Sequence, residues 1–114
     1  MTDDCLFCRM ASGAVPVDKV HEDDLVFAIR DINPQAPTHV LVIPVRHVGS
    51  AAELTETDAP MLARLVAVAA ELAAKDGLSN GWRLVTNVGR DGGQSVNHLH
   101  VHLLGGRAMG WPPG

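Results

Sequence analysis

Basic residues are scarce in this 114-residue chain, with nine Lys and Arg against 13 Asp and Glu and a formal net charge of −4. A broad nucleic-acid-binding face neutralises many phosphates, so so few scattered cations argue against one, although a single phosphate needs only local donors. Cysteine is equally sparse: Cys5 and Cys8 are too few and too close for a disulfide framework. No apolar run approaches the roughly 20 residues that cross a bilayer, and the acidic start MTDDCLFCRM lacks a signal-peptide core. The expectation is a soluble, cytoplasmic protein that binds neither membranes nor nucleic acid. No repeat or linker divides the chain. Residues 1–114 are therefore expected to form one domain, with an N-terminal segment at 1–13 and a tail at 105–114.

Apolar residues, by contrast, are plentiful. They make up 46% of the chain against 19% charged, which excludes disorder over most of its length. A compact chain of this size buries roughly two thirds of its unfolded surface, enough for one core. Residues 7–12 predict a short helix closed by Gly13. Residues 20–22 and 25–29 read as strands about an Asp23-Asp24 turn, and 39–43 (HVLVI) as a buried central strand stopped by Pro44. A long helix is predicted over 58–76, with Thr57 as N-cap, Pro60 in its first turn and Gly77 past its end. Leu62, Leu65, Val66, Ala69, Leu72 and Ala73 mark its apolar face. Residues 82–86 and 97–104 bring the strands to about five. The predicted class is α+β, an antiparallel sheet with the long helix on one face.

The most informative segment is HLHVHLL at 98–104. At this histidine content an H-x-H-x-H run is expected by chance only about 0.02 times. Alternation along a strand puts His98, His100 and His102 on one face and Leu99, Val101 and Leu103 on the other. Three such rings span too far to converge on one ion, since adjacent members lie roughly 6.8 Å apart and metal–nitrogen bonds are only about 2.0–2.1 Å. A division of labour follows, with the middle ring doing chemistry. Neutral imidazole is a competent nucleophile near pH 7. Just upstream, Gly89, Gly92, Gly93, Gln94 and Ser95 offer backbone and side-chain donors for an anion, although a plain hairpin loop has the same composition.

With these residues in view, the chain resembles the histidine triad superfamily, and within it the histidine triad nucleotide-binding proteins. The likeness runs through residues 31–39 (DINPQAPTH), 42–44 (VIP) with His47, 91–95 (DGGQS), the triad itself, 105–107 (GGR) and 111–114 (WPPG). It implies a homodimer whose subunits share one continuous antiparallel sheet, and a pocket for a purine nucleoside monophosphate or phosphoramidate. It also implies hydrolysis of the phosphoramidate. By position, His100 would attack the α-phosphorus to give a nucleotidyl-histidine that water resolves. His102 would bind the phosphate and help protonate the leaving amine, with His98 as the third member of the catalytic row. The Gly93 backbone and the Asn87, Gln94 and Ser95 side chains would hold the phosphate, Asp31 the ribose and Ile32 the base, with Trp111 bordering the site.

Cys5 and Cys8 supply two soft ligands, and a tetrahedral structural zinc needs two more, for which His47 and His98 are the candidates. Some bacterial-type members of the family resemble this set. Metal-free reduced cysteines and a redox pair are the alternatives, the latter without a thioredoxin-like βαβ context. No organic cofactor is expected. His39 reads as a structural residue and His21 as a solvated one. Two further functions compete with phosphoramidate hydrolysis. One is a related activity, dinucleoside polyphosphate hydrolysis or nucleotidyl transfer; the other is a nucleotide sensor without turnover.

Overall fold

The computed structural model describes residues 4–114, so the first three residues of the expected N-terminal segment lie outside the described ones. Helices α1 (Leu6–Ser12), α2 (Ala59–Lys75) and the single-turn α3 (Gly89–Gly92) accompany five strands. These are β1 (His21–Glu22), β2 (Val26–Arg30), β3 (Thr38–Pro44), β4 (Trp82–Val85) and β5 (Val101–Gly105). They pair antiparallel in the order β1-β2-β3-β5-β4. The β-branched run in β3 is central, and all seven of its residues are buried. The α+β class and the five-stranded sheet agree with expectation. No helix among the described residues is long and apolar enough to cross a membrane.

Helix α2 begins after a 3-10 turn at Glu56–Asp58 that contains Thr57. Thr57 is therefore not the cap. The chain turns instead on Thr55 and Asp58, whose carboxylate accepts the Thr55 N–H at 2.9 Å. Pro60 sits in the first helical turn, and Gly77, with φ +72°, follows the Asp76 C-cap. The buried face of α2 is Met61, Leu65, Val68, Ala69, Leu72 and Ala73. Leu62 and Val66, expected on that face, are 41% and 44% exposed. Their stripe lies beside the buried one, because α2 is apolar around more than half its circumference.

Strand β5 is shorter than predicted. Its ladder starts at Val101, opposite Val42, so His98 and His100 lie before it. Other contacts hold that lead-in: the Leu99 N–H donates to the Val48 carbonyl at 2.6 Å, and the Thr86 hydroxyl to the His100 carbonyl at 2.9 Å. The two-residue alternation persists regardless. Leu99, Val101 and Leu103 join the core against α2. On the opposite face Phe27, Ile29, Leu41 and Ile43 form a second cluster with Phe7 of α1, whose ring meets His98 and His100 edge-on. This second layer was not expected.

Two carboxylates lock the sheet to α2. Asp76 receives a bidentate Arg30 guanidinium at 2.8 and 3.0 Å and the Thr38 hydroxyl at 2.8 Å. Asp23 accepts the Leu25 and Val26 N–H groups, a 2.6 Å contact from His21 and Arg64 Nε of α2 at 2.8 Å. His21 is thus part of a network rather than solvated. Burial pushes the Asp23 pKa up, but the bonds from His21, Val26, Leu25 and Arg64 outweigh it and hold the carboxyl well below its usual range. A depressed carboxylate stabilises the fold above its unfolded pKa of about 3.9, and that share is lost as pH falls toward the folded value. Acid unfolding of the native chain and of Asp23→Asn tests this. The native chain should lose on the order of 1–2 kcal/mol more than the variant between about pH 4 and pH 2; parallel curves would show that Asp23 is not a stabilising anion.

Candidate functional site

The three histidines are each held by a different main-chain or side-chain partner. His100 is buried, and its Nδ1 lies 2.7 Å from the His98 carbonyl. A carbonyl can only accept, so Nδ1 carries the proton and, in the neutral ring, Nε2 carries the lone pair. His98 is fully buried and has the other arrangement. Its Nε2–H donates to the Pro44 carbonyl at 2.8 Å, leaving the Nδ1 lone pair facing the cysteines.

His102 is set by a relay. The Gln35 N–H donates to His39 Nδ1 at 3.0 Å, so His39 Nε2 bears a proton. That proton faces His102 Nδ1 at 2.9 Å, with an Asp31 carboxylate oxygen 3.4 Å away. His102 Nδ1 therefore accepts, and Nε2–H is its free donor. Burial and the neighbouring His100 and His39 lower its pKa to about 4 against an opposing pull from Asp31, which favours neutral His102 near pH 7. His39 is thus a site residue that the sequence reading missed. It pairs with Leu104 across the β3–β5 ladder, diagonal to His102, and that register has no local sequence signal. Asp31 sits beside the relay; its other carboxylate oxygen caps the Asn33 N–H at 2.8 Å.

The glycine-rich segment is partly helical. Gly93 adopts φ +82° after α3, and its N–H returns to the Arg90 carbonyl. Gln94, expected to contact phosphate, uses its amide inside the protein. Its NH2 donates to the Gly49 and Val96 carbonyls at 2.7 and 3.0 Å, and its oxygen accepts the Gly89 N–H at 3.0 Å. Its side chain is a staple for the loop. Ser95 is exposed and Asn87 half-buried, and among the described residues no hydrogen bond engages either side chain. Ile32 is 101% exposed and Trp111 84%, so neither packs within this chain. A cleft of about 700 Å³ between α1 and β1, lined by Met10, Val15, Val17 and Lys19 among others, includes none of the triad.

Two clusters bring metal-type ligands together, and the chemistry of their nitrogens separates them. In the first, His98 Nδ1 lies 3.2 Å from Cys5 Sγ, 3.5 Å from Cys8 Sγ and 3.2 Å from His47 Nδ1, which is 3.3 Å from Cys8 Sγ. One tetrahedral ion requires edges of about 3.5 Å for sulfur–nitrogen and about 3.3 Å for nitrogen–nitrogen pairs. The set fits. Burial, with His47 and His100 nearby, lowers the His98 pKa against the Pro44 bond, favouring the neutral ligand form. The Cys8 thiol is pushed up to about 11 by burial and by Cys5, the reverse of the depressed thiolate that drives a redox pair. In the second cluster, Asp31, His39 and His102, the Gln35 N–H already occupies His39 Nδ1 and forces a proton onto the nitrogen a metal would need. It does not fit.

Comparison with known proteins identifies the family and the fold. The HIT domain family profile matches residues 12–109. An uncharacterized HIT-like protein of Synechococcus elongatus is 46% identical over 114 residues, spanning all of both chains. A HIT family hydrolase from Legionella pneumophila superposes with a TM-score of 0.94 at 49% identity, covering 97% of this chain and 100% of that one. A histidine triad nucleotide-binding protein from Candida albicans gives 0.80 at 29% identity, covering 96% and 83%.

The relay makes a spectroscopic prediction. Nitrogen chemical shifts of the His102 ring should report the Nε2–H tautomer in the native chain and a mixture in His39→Leu, with His39→Gln intermediate because its amide still donates. An unchanged His102 tautomer in His39→Leu would show that the relay does not set it.

Proposed function

The chain belongs to the HIT domain family, and on that footing we propose that it hydrolyses purine nucleoside phosphoramidates through a nucleotidyl-histidine on His100. The observation that carries this reading is the pair of opposite tautomers on neighbouring rings 5.1 Å apart: a lone pair on His100 Nε2 and a proton on His102 Nε2. A displacement at phosphorus requires a nucleophile on one atom and a donor to the phosphate on another.

His100 Nε2 attacks the α-phosphorus, the phosphorus–nitrogen bond to the amine breaks, and the amine leaves with a proton. Water then attacks the same phosphorus, releasing the nucleoside monophosphate and restoring the neutral ring. His102 Nε2–H donates to a phosphate oxygen throughout. The proton that the amine carries away comes from water, because His102 Nδ1 already accepts from His39 and its Nε2–H stays on the phosphate. Ser95 and Asn87 add donors to the phosphate, while the glycines around Gly93 let the chain approach it closely. Asp31 accepts from the ribose hydroxyls and Ile32 lies against the base. The sensor alternative gains no specific observation, since simple nucleotide binding does not call for two opposed tautomers.

Two assemblies complete the reading. Cys5, Cys8, His47 and His98, with their soft sulfur and imidazole donors, would hold zinc, which would supply a fixed cross-link rather than chemistry at phosphorus. A second copy of the chain pairs with the open edge of β4, where Trp82 is left exposed, and covers Trp111. The homodimer then extends the sheet across two subunits and gives the tail a neighbouring site to border.

Turnover of adenosine 5′-phosphoramidate tests the catalytic claim. His100→Ala and His100→Gly should lose several orders of magnitude in kcat while still binding adenosine monophosphate. Rapidly quenched native enzyme should carry a nucleotidyl adduct on His100 by mass spectrometry. Equal rates in native chain and variants would remove His100 from the mechanism. Elemental analysis after reconstitution under reducing conditions should find about one zinc per chain, and none in Cys5→Ser/Cys8→Ser; a native chain that takes up no zinc would end that assignment.

A further inference from the structure

We propose that the clamp of Cys5, Cys8, His47 and His98 is a positioning device for His100, so that metal held there keeps the nucleophile in its attacking tautomer. The proposal rests on the readings of His100 as nucleophile and of the cluster as a zinc site. What carries it is the double use of His98. Its ring faces the cysteines, while its carbonyl receives the His100 Nδ1–H at 2.7 Å. Any motion that turns the His98 peptide moves the one acceptor that assigns the His100 proton.

The ladder does not restrain that peptide. β5 begins at Val101, and the lead-in is held at a few points: His98 N–H to the Val96 carbonyl at 2.8 Å, Leu99 N–H to Val48, Thr86 to the His100 carbonyl, and the His98 ring between Pro44 and the thiols. Three of the four clamp ligands come from elsewhere, two from the α1 end and one from the segment after β3. Phe7 stands between Cys5 and Cys8 in sequence and packs edge-on against both His98 and His100, with ring centroids at 5.8 and 5.1 Å. One cross-link thus joins α1, His47 and the lead-in around the nucleophile. Without it, His98 Nδ1 has only weak thiol donors and a second imidazole nitrogen as neighbours.

The clamp residues are positioning residues, and the test separates positioning from mere stability. The full-length chain is prepared zinc-loaded and zinc-stripped under reducing conditions, alongside His47→Gln, which removes an exposed ligand. Arg64→Gln, which loosens the β1–β2 turn from α2 and whose partners are Asp23, His21 and Glu71 rather than any triad or clamp residue, is the stability control. Ring nitrogen shifts of His100, kcat and KM for adenosine 5′-phosphoramidate, and Tm are measured on each.

Zinc removal and His47→Gln should convert His100 from a single Nδ1–H tautomer to a mixture. They should lower kcat about tenfold or more with little change in KM, and added zinc should restore the stripped native chain. Arg64→Gln should lower Tm while leaving tautomer and kcat as in the native chain. A stripped chain that keeps one tautomer and full kcat, and loses only Tm, would overturn the proposal and leave the metal a structural brace. Failure to take up zinc would overturn it together with the metal assignment. A zinc-dependent tautomer change in a chain without turnover would support the coupling and remove the phosphoramidase reading alone.

Discussion

A carbonyl oxygen can only accept a hydrogen bond and a backbone N–H can only donate one. Three such groups govern the histidines: the carbonyls of Pro44 and His98 and the N–H of Gln35. Each claims one ring nitrogen, directly or through His39, and leaves the other with a defined character. His98 presents a lone pair to the cysteines, His100 a lone pair to the site, and His102 a proton. Three identical side chains in five residues thus acquire three chemistries from the fold.

The same constraint explains why the first two histidines stand outside the ladder. In a paired strand the carbonyls point sideways to neighbouring strands. The His98 carbonyl must instead turn to the ring two residues on, so regular pairing waits until Val101. Two-residue alternation in the sequence reports which face each side chain takes, and that part was legible: Leu99, Val101 and Leu103 do face α2. Alternation carries no information about where the ladder's hydrogen bonds begin, which depends on a contact within the site itself.

Other differences have equally specific causes. On α2 two apolar stripes run side by side, Met61-Leu65-Val68-Leu72 and Leu62-Val66-Ala69-Ala73, and periodicity cannot say which part the sheet covers. The sheet takes the first stripe and the later, alanine-bearing half of the second, which leaves Leu62 and Val66 bare. His39 was legible as a histidine at the head of a buried strand but not as a site residue, because its partner is 63 positions away and is fixed by cross-strand register. Gln94 was legible as a polar residue of the glycine-rich loop, but the use of its amide to close that loop onto Gly49, Gly89 and Val96 was not, since Gly49 is distant in sequence. The motif-bearing residues were recognisable from sequence because their spacing is local; their partners were not.

The two faces of the sheet divide the work. The α2 face is a dry core whose burial stabilises the sheet. The other face carries the histidines beneath α1, a helix of only seven residues with Phe7 as its buried residue. Isolated helices shorter than about 12–15 residues are marginal in water, so α1 must borrow its order from what surrounds it. Gly13 closes its C-terminus at φ +86°, and Cys5 Sγ accepts the Cys8 N–H at its N-terminus. Met10 and Ala11 pack partly buried on the second cluster, while Phe7 and the two cysteines reach His98. Ordering α1 and holding the His98 ring therefore draw on shared contacts, which is how so short a helix keeps its place over the histidines.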